Sequence, residues 1–466
     1  MKEVSQTRVL GIFTVAMLSV SAILSLRNVP IMATLGFKCI FFYGLAALCF
    51  LIPSAFVAAE LSTRANTNGG VYAWVKAALG EKAGFVAIWM EWINNVIGFP
   101  ATLSTIIATF TYVAFPQLLS HRFAFFICIM IVFWGCTFYN FTSVKIATGL
   151  NIVGALFGMI LPGALIIILG LVWIGTGHQS ALTNFSIIPH FSNNNFVLFI
   201  SAISGYSGMQ ILAFHAKNVK NPKRTFPIAI MLSFVIILIL SIVASISVAL
   251  VVPADKLNIM NGLIEGFYYF FSAFHLGFLT KPLALCLVIG SVASLSAWML
   301  GPARAISVVA QDELLPKIMA YRNKNEMPVV VLIVQGVIGT ILASLFLFLP
   351  SMQMAFWILV ALTSQFTIFM YILIFISAIK LRYMSNHIKD KDAFQIPGGK
   401  PLLWIVTVVG IITCCIGFVF GLIPPNLSSQ GFSTVEYISI MAIGDIVIIF
   451  APILWIQLTH NKKISK

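Results

Sequence analysis

The sequence predicts an all-α integral membrane protein with twelve transmembrane helices. Three observations carry that prediction: composition, the repetition of long apolar runs, and the placement of basic residues between them. Of 466 residues, 60% are hydrophobic and 9% charged, and mean hydropathy is +1.03, far from the range of soluble domains. A hydrocarbon core about 30 Å thick takes roughly 20 apolar residues per helix, and runs of that length follow one another with no soluble domain between them. The formal charge of +14 does not point to nucleic acid, because the basic residues sit in short loops and not along one arm or face.

Apolar length and breaker residues place helices at 9–36, 39–63, 82–116, 122–140, 144–174, 195–216, 225–252, 277–311, 328–349, 354–380, 401–422 and 433–459. The first run lacks a small-residue cleavage site and reads as a retained helix, not a signal peptide. Lysine and arginine crowd alternate loops, among them Arg64 with Lys76, Lys217 to Arg224, Lys317 to Lys324 and Lys380 to Lys400. The opposite loops hold only Lys38, Arg122, Lys256 and Lys281. The positive-inside rule then puts both termini in the cytoplasm of a multi-pass cytoplasmic (inner) membrane protein. The seven cysteines lie in or beside apolar runs without metal-ligand spacing, and read as packing or lipid-facing residues.

Five is odd, so two consecutive five-helix units insert with opposite orientation. The chain, 1–466, therefore reads as one membrane domain with a five-plus-five inverted repeat, 9–174 and 195–380, followed by accessory helices over 401–459. Such a fold is marked by interrupted helices at matching places. Helix 1 is interrupted at Ser25-Leu26-Arg27-Asn28-Val29-Pro30, and helix 6 at Ser204-Gly205-Tyr206-Ser207-Gly208. Lipid cannot satisfy the backbone groups freed there, so an interruption survives where it lines a cavity. The half-helix starting near Pro30, with the amides around Ile31, suits a carboxylate; the carbonyls of Ile203 and Ser204 suit an ammonium group. Together they fit an amino-acid backbone, although glycine and serine also serve close helix packing.

Arg27 needs a partner, since an ionised side chain at mid-depth costs about 2.5–3.5 kcal/mol on insertion scales. Glu91 is the acidic residue inside a span of the first half, and an Arg27–Glu91 ion pair is expected, either beside the site or as a structural lock. Asn28, Asn94 and Asn95 extend the polar lining. Gln210, Ser294, Trp298 and Gln365 are further lining candidates, each also readable as packing. Glu60 and His215 read as interfacial, and Asp445 as a packing or dimer-contact residue. No phosphate-cradling glycine loop with lysine and no histidine–carboxylate metal motif is present, so neither enzyme chemistry nor a cofactor is expected. Ile396-Pro397-Gly398-Gly399-Lys400 reads as a loop turn. Coupling is then to a gradient, with protons a candidate ion.

Several stretches resemble the amino acid-polyamine-organocation superfamily, and within it the bacterial glutamate/γ-aminobutyrate antiporter group. They are Val29-Pro30-Ile31-Met32-Ala33-Thr34, Asn68-Gly69-Gly70-Val71-Tyr72-Ala73-Trp74-Val75, Asn221-Pro222-Lys223-Arg224, Trp298-Met299-Leu300-Gly301-Pro302-Ala303-Arg304 and the Pro-Gly-Gly-Lys run. The resemblance covers nearly the whole chain. It implies a LeuT-like inverted repeat and amino-acid exchange or proton-linked uptake by alternating access, as a monomer or homodimer in the bilayer. The chain departs from that pattern where relatives carry acids, with Gln210 after the second interruption and Ser294 in helix 8. The usual Gly-Ser/Thr-Gly run of helix 1 is replaced by the segment around Arg27, and the sequence ends at Lys466 without room for the antiporter's C-terminal plug. These departures favour a neutral or anionic amino acid. A permease for an amine or polyamine that depends on Glu91, and a transport-dead amino-acid sensor, are the alternatives.

Overall fold

Unbroken apolar runs become unbroken helices, because a helix satisfies its own backbone where no water can. The computed structural model describes residues 10–24, 26–63, 70–142, 156–182, 185–189, 198–211, 219–384, 394–424 and 433–464. Ten of its helices are long and apolar enough to cross a membrane. They are α3 (Gly36–Ser62), α5 (Glu81–Ala114), α6 (Arg122–Tyr139), α7 (Leu156–Gly175), α9 (Pro222–Val251), α11 (Gly277–Gln311), α12 (Val329–Phe348), α13 (Met352–Met384), α14 (Gly399–Gly421) and α15 (Thr434–Ile464). The remaining helices are shorter: α1 (Ile12–Ile23), α2 (Val29–Ala33), α4 (Gly70–Leu79), α8 (Phe199–Gly205) and α10 (Gly262–Ala273). The first expected interruption separates α1 from α2, and the second follows the C-terminal end of α8.

The segments of α4 and α10 fall between the spans expected from apolar length. Both are amphipathic helices, with Val71, Trp74, Val75 and Ala78 buried on one face of α4 and Ile264, Phe267 and Phe271 on one face of α10. That i, i+3, i+4, i+7 spacing is legible, but it is shorter and less apolar than a span.

The core is built around α5 and α13. Helix α5 packs most extensively on α11 and α13, and α13 is the most buried of the long helices, whereas α15 is the least. Elsewhere α1 packs on α9, α8 on α3, and α7 on both α9 and α11. Glycine sets the closest of these approaches: a Cβ on Gly290 of α11 would lie 2.0 Å from the Gly158 nitrogen of α7.

Ion pairs fasten the ends of individual helices. Lys76 of α4 bonds Asp312, just past α11, at 2.8 Å and Glu81 at 2.9 Å, and the Tyr72 hydroxyl donates to Asp312. Glu60, expected at the interface, is instead 1% exposed and pairs with Arg382 of α13 at 2.7 Å. It also accepts the Ile396 amide at 2.9 Å, because the 394–396 segment folds over the end of α3 and reciprocates with Thr63. The run that follows is the expected turn: Gly398 and Gly399 both have positive φ, 81° and 72°, which glycine adopts without strain.

Candidate functional site

The two interruptions face each other. Helix α1 stops at Ile23, a single 3₁₀ turn covers Leu26–Asn28, and α2 starts at Val29 with Pro30 in its first turn. Helix α8 stops at Gly205, and a second 3₁₀ turn, Met209–Ile211, follows Gly208 at φ 128°. Asn28 occupies the N-cap of α2, but its side chain does not cap that helix. Its Nδ2 donates to the Ser201 carbonyl of α8 at 3.2 Å, tying one interruption to the other. The approach requires a glycine, since a Cβ on Gly205 would sit 2.7 Å from Asn28 Nδ2.

Between the interruptions and α5 lies a cavity of about 270 Å³. Of the predicted residues, Arg27, Asn28, Asn94 and Asn95 line it from the first half, and Ser204, Gly205, Ser207, Ser294 and Trp298 from the second. Sequence reasoning missed a hydroxyl stripe, Thr102, Thr105 and Thr109, that lines the cavity from one face of α5. Its 3- and 4-residue spacing was the available signal.

Among the described residues, Arg27 is the only ionisable one in the lining. Its Nη1 donates to Thr102 Oγ1 at 3.1 Å. Its Nε is buried without a hydrogen-bond partner, and among the described residues no carboxylate lies within ion-pair distance of it. The expected Arg27–Glu91 pair is therefore not formed. The reason is axial: Thr102 and Glu91 are eleven residues apart on α5, about 16 Å at 1.5 Å per residue. Glu91 bonds Gln210 instead, whose Nε2 donates to its Oε1 at 3.4 Å. Tyr371 of α13, another residue not anticipated, donates to Gln210 Oε1 at 2.6 Å and accepts the Gly208 amide at 3.1 Å.

Several other expected lining residues lie outside the cavity. Ile31, Ile203 and Tyr206 are core residues, each at most 1% exposed. The Ile203 and Ser204 carbonyls, expected to be open to an ammonium group, accept the amides of Tyr206 and Ser207, and Ser204 also accepts the Ser207 hydroxyl. The turn that ends α8 thus satisfies them locally. Gln365 is fully buried and faces Asp445 of α15; with its amide oriented to donate, it lies 3.0 Å from both carboxylate oxygens. Ser25 and His215 lie outside the described residues.

Membrane-length helices around a polar cavity, with two interruptions meeting at it, define the class as a multi-pass membrane protein, and the family it falls in makes it a transporter and not an enzyme. A family model for amino acid permeases matches residues 10–449, and the chain belongs to that family, within the amino acid-polyamine-organocation superfamily. It is 38% identical over 421 residues to an uncharacterized transporter of Legionella pneumophila, covering 90% of each chain. It is also 29% identical over 462 residues to a glutamate/γ-aminobutyrate antiporter of Lactococcus lactis, covering 97% of this chain and 91% of that one. A probable agmatine/putrescine antiporter of Lactococcus lactis is 23% identical over 437 residues, 89% of each chain.

Proposed function

We propose that the protein is a secondary active transporter for a neutral or anionic amino acid, and that Arg27 receives the substrate carboxylate in the cavity. One observation carries this reading: a guanidinium lines the cavity with its Nε buried and unpaired. An unsatisfied buried donor is costly, and a carboxylate is the partner whose geometry suits the guanidinium fork. The amine reading has no comparable support, because among the described residues no carboxylate lines the cavity and Glu91 is engaged with Gln210 outside it.

Twelve spans follow if the α1–α2 and α8 segments are counted as helices 1 and 6 beside the ten long helices. Helix contacts favour the inverted repeat. Under a helix 1-to-6 through 5-to-10 correspondence, α1 on α9 mirrors α8 on α3, α5 on α13 mirrors α11 on α7, and α7 on α9 mirrors α13 on α3. The Asn28–Ser201 bridge and Gly205 then hold the two interruptions at one site, and alternating access exposes that site to each side in turn. Both termini lie in the cytoplasm of an inner-membrane protein on this reading, with protons as the coupling ion.

The test is thermal unfolding of the purified protein with a panel of L-amino acids and of amines lacking a carboxylate. Binding to the folded state raises apparent stability by mass action. Neutral or acidic amino acids are expected to stabilise the wild type but not Arg27→Gln, while the amines do neither. Losing a charge-assisted bond worth about 1.5–3 kcal/mol weakens binding roughly 10- to 100-fold. Stabilisation by amines alone, or unchanged binding by Arg27→Gln, would overturn the assignment.

A further inference from the structure

Glu91 lies within the long apolar run of α5, yet it does not line the cavity. It sits one helical turn before the cavity-lining Asn94 and Asn95, and Asn95 Nδ2 donates to its backbone carbonyl at 2.7 Å. Its carboxylate receives one long hydrogen bond, from Gln210 Nε2 at 3.4 Å, and among the described residues no cation lies within ion-pair distance. An ionised carboxylate so placed is costly to hold in a low-dielectric interior.

Hydrogen bonds connect Glu91 to the second interruption. Gln210 lies three residues beyond the cavity-lining Ser207, and the chain Glu91, Gln210, Tyr371, Gly208 runs from α5 through α13 back to the backbone of the second interruption. Hydrogen bonds in such a chain polarise one another. An ionised carboxylate only accepts, whereas a protonated one also donates. A change of proton at Glu91 therefore changes how Gln210 is held, and through Tyr371 how the Gly208 amide is held.

The charged groups of the helices packed on α5 are held elsewhere or lie exposed near helix ends, as Lys281 of α11 and Lys380 of α13 do. Tyr371 is the titratable group that α13 presents to this network, and α12 carries none. Asp445 of α15 faces Gln365, Arg382 of α13 pairs with Glu60, and Lys76 of α4 pairs with Asp312. Arg304 of α11 contacts Met327, and Arg122 of α6 donates to the carbonyls of Leu349 and Pro350.

We infer that Glu91 is the proton-binding residue of the transport cycle, loaded while Gln210 and Tyr371 hold the second interruption against α13 and unloaded when that interruption moves. Loading takes one proton from water and forms a neutral carboxyl; unloading returns it to water, with no other bond made or broken. This rests on the transporter reading, and the test separates the two.

The first measurement needs no substrate. Infrared difference spectra of the purified, full-length protein across a pH titration are expected to contain a carboxylic-acid C=O band that is lost in Glu91→Gln and kept in Asp445→Asn. Gln210→Ala, which leaves the carboxyl in place but unhooks it, is expected to keep the band and move its pH midpoint. The second measurement uses proteoliposomes and an equimolar mixture of the twenty labelled L-amino acids as probe. A one-unit pH gradient is expected to drive about tenfold accumulation by the wild type, the limit for one proton per substrate. In Glu91→Gln that accumulation is lost, and the residual exchange no longer varies with pH. Persistence of the band in Glu91→Gln, or gradient-driven accumulation by that variant, would overturn the assignment. If wild-type vesicles show no flux, the transport reading fails, and the infrared arm still decides for or against Glu91.

Discussion

Arg27 and Asn28 are neighbours in sequence with opposite structural roles. Asn28 gives up its capping position to bond Ser201, so its side chain serves the joint between interruptions. Arg27 spends one donor on Thr102 and keeps Nε unpaired, a locally unfavourable arrangement of the kind that collects at binding sites. Gly205 makes the joint possible. Gly205→Ala is expected to push Asn28 off Ser201 and to destabilise by about 1–3 kcal/mol, the usual range for overpacking. Melting in detergent checks this. The double variant with Asn28→Ala is expected to lose less than the sum of the single changes, because the added methyl then meets an alanine and not an amide.

At the scale of elements, α4 is fastened to the end of α11 by charge. The Asp312 carboxyl is held below the usual range by Lys76 first and Tyr72 next. The Lys76 ammonium is raised by Asp312 and then Glu81, and burial, with Asp312 beside it, pushes the Tyr72 phenol up to about 12. A depressed carboxyl contributes stability above its ordinary pKa and loses it as the pH falls through the lower folded value. A raised lysine loses its contribution only as the pH rises through its own folded value. Side-chain exposures of 38% for Lys76 and 34% for Asp312 limit the pair to about 1 kcal/mol or less. Asp312→Asn is therefore expected to melt with a shallower acid dependence than the wild type below about pH 4, and added salt should shrink the difference. A steeper acid dependence in the variant would contradict the assignment. The Glu60–Arg382 pair at the end of α3 differs in kind: it is buried at 1% and 11% exposure, and it positions the 394–396 segment through the Ile396 amide.

At the scale of the whole molecule, the wide spread in burial separates scaffold from periphery. Helix α13 is enclosed and carries Tyr371 and Gln365, whereas α15 presents Ile443, Val447, Phe450 and Leu454 outward. The proposed orientation, with both termini in the cytoplasm, rests on the basic loops and has a direct test. In a background without the native cysteines, a cysteine at Lys256 is expected to react with an impermeant maleimide in intact cells. One at Lys324 is expected to react only after permeabilisation. The reverse pattern would invert the topology.

The ten long helices, the two interruptions and the family were legible in the chain, because apolar length, breaker residues and local motifs are short-range properties that the bilayer reads directly. Helix bounds such as 122–140 and 277–311 fall within a residue of those observed for α6 and α11. Which polar residue meets which was not legible. Arg27 and Glu91 were matched by opposite charge, yet the fold sets Arg27 beside Thr102, about three turns farther along α5, and leaves Glu91 to Gln210. Gln365 turned to Asp445, and Tyr371, silent in an apolar run, became the link to Gly208. Charge complementarity is a property of pairs, and the axial register that selects the pairs exists only once the helices have packed.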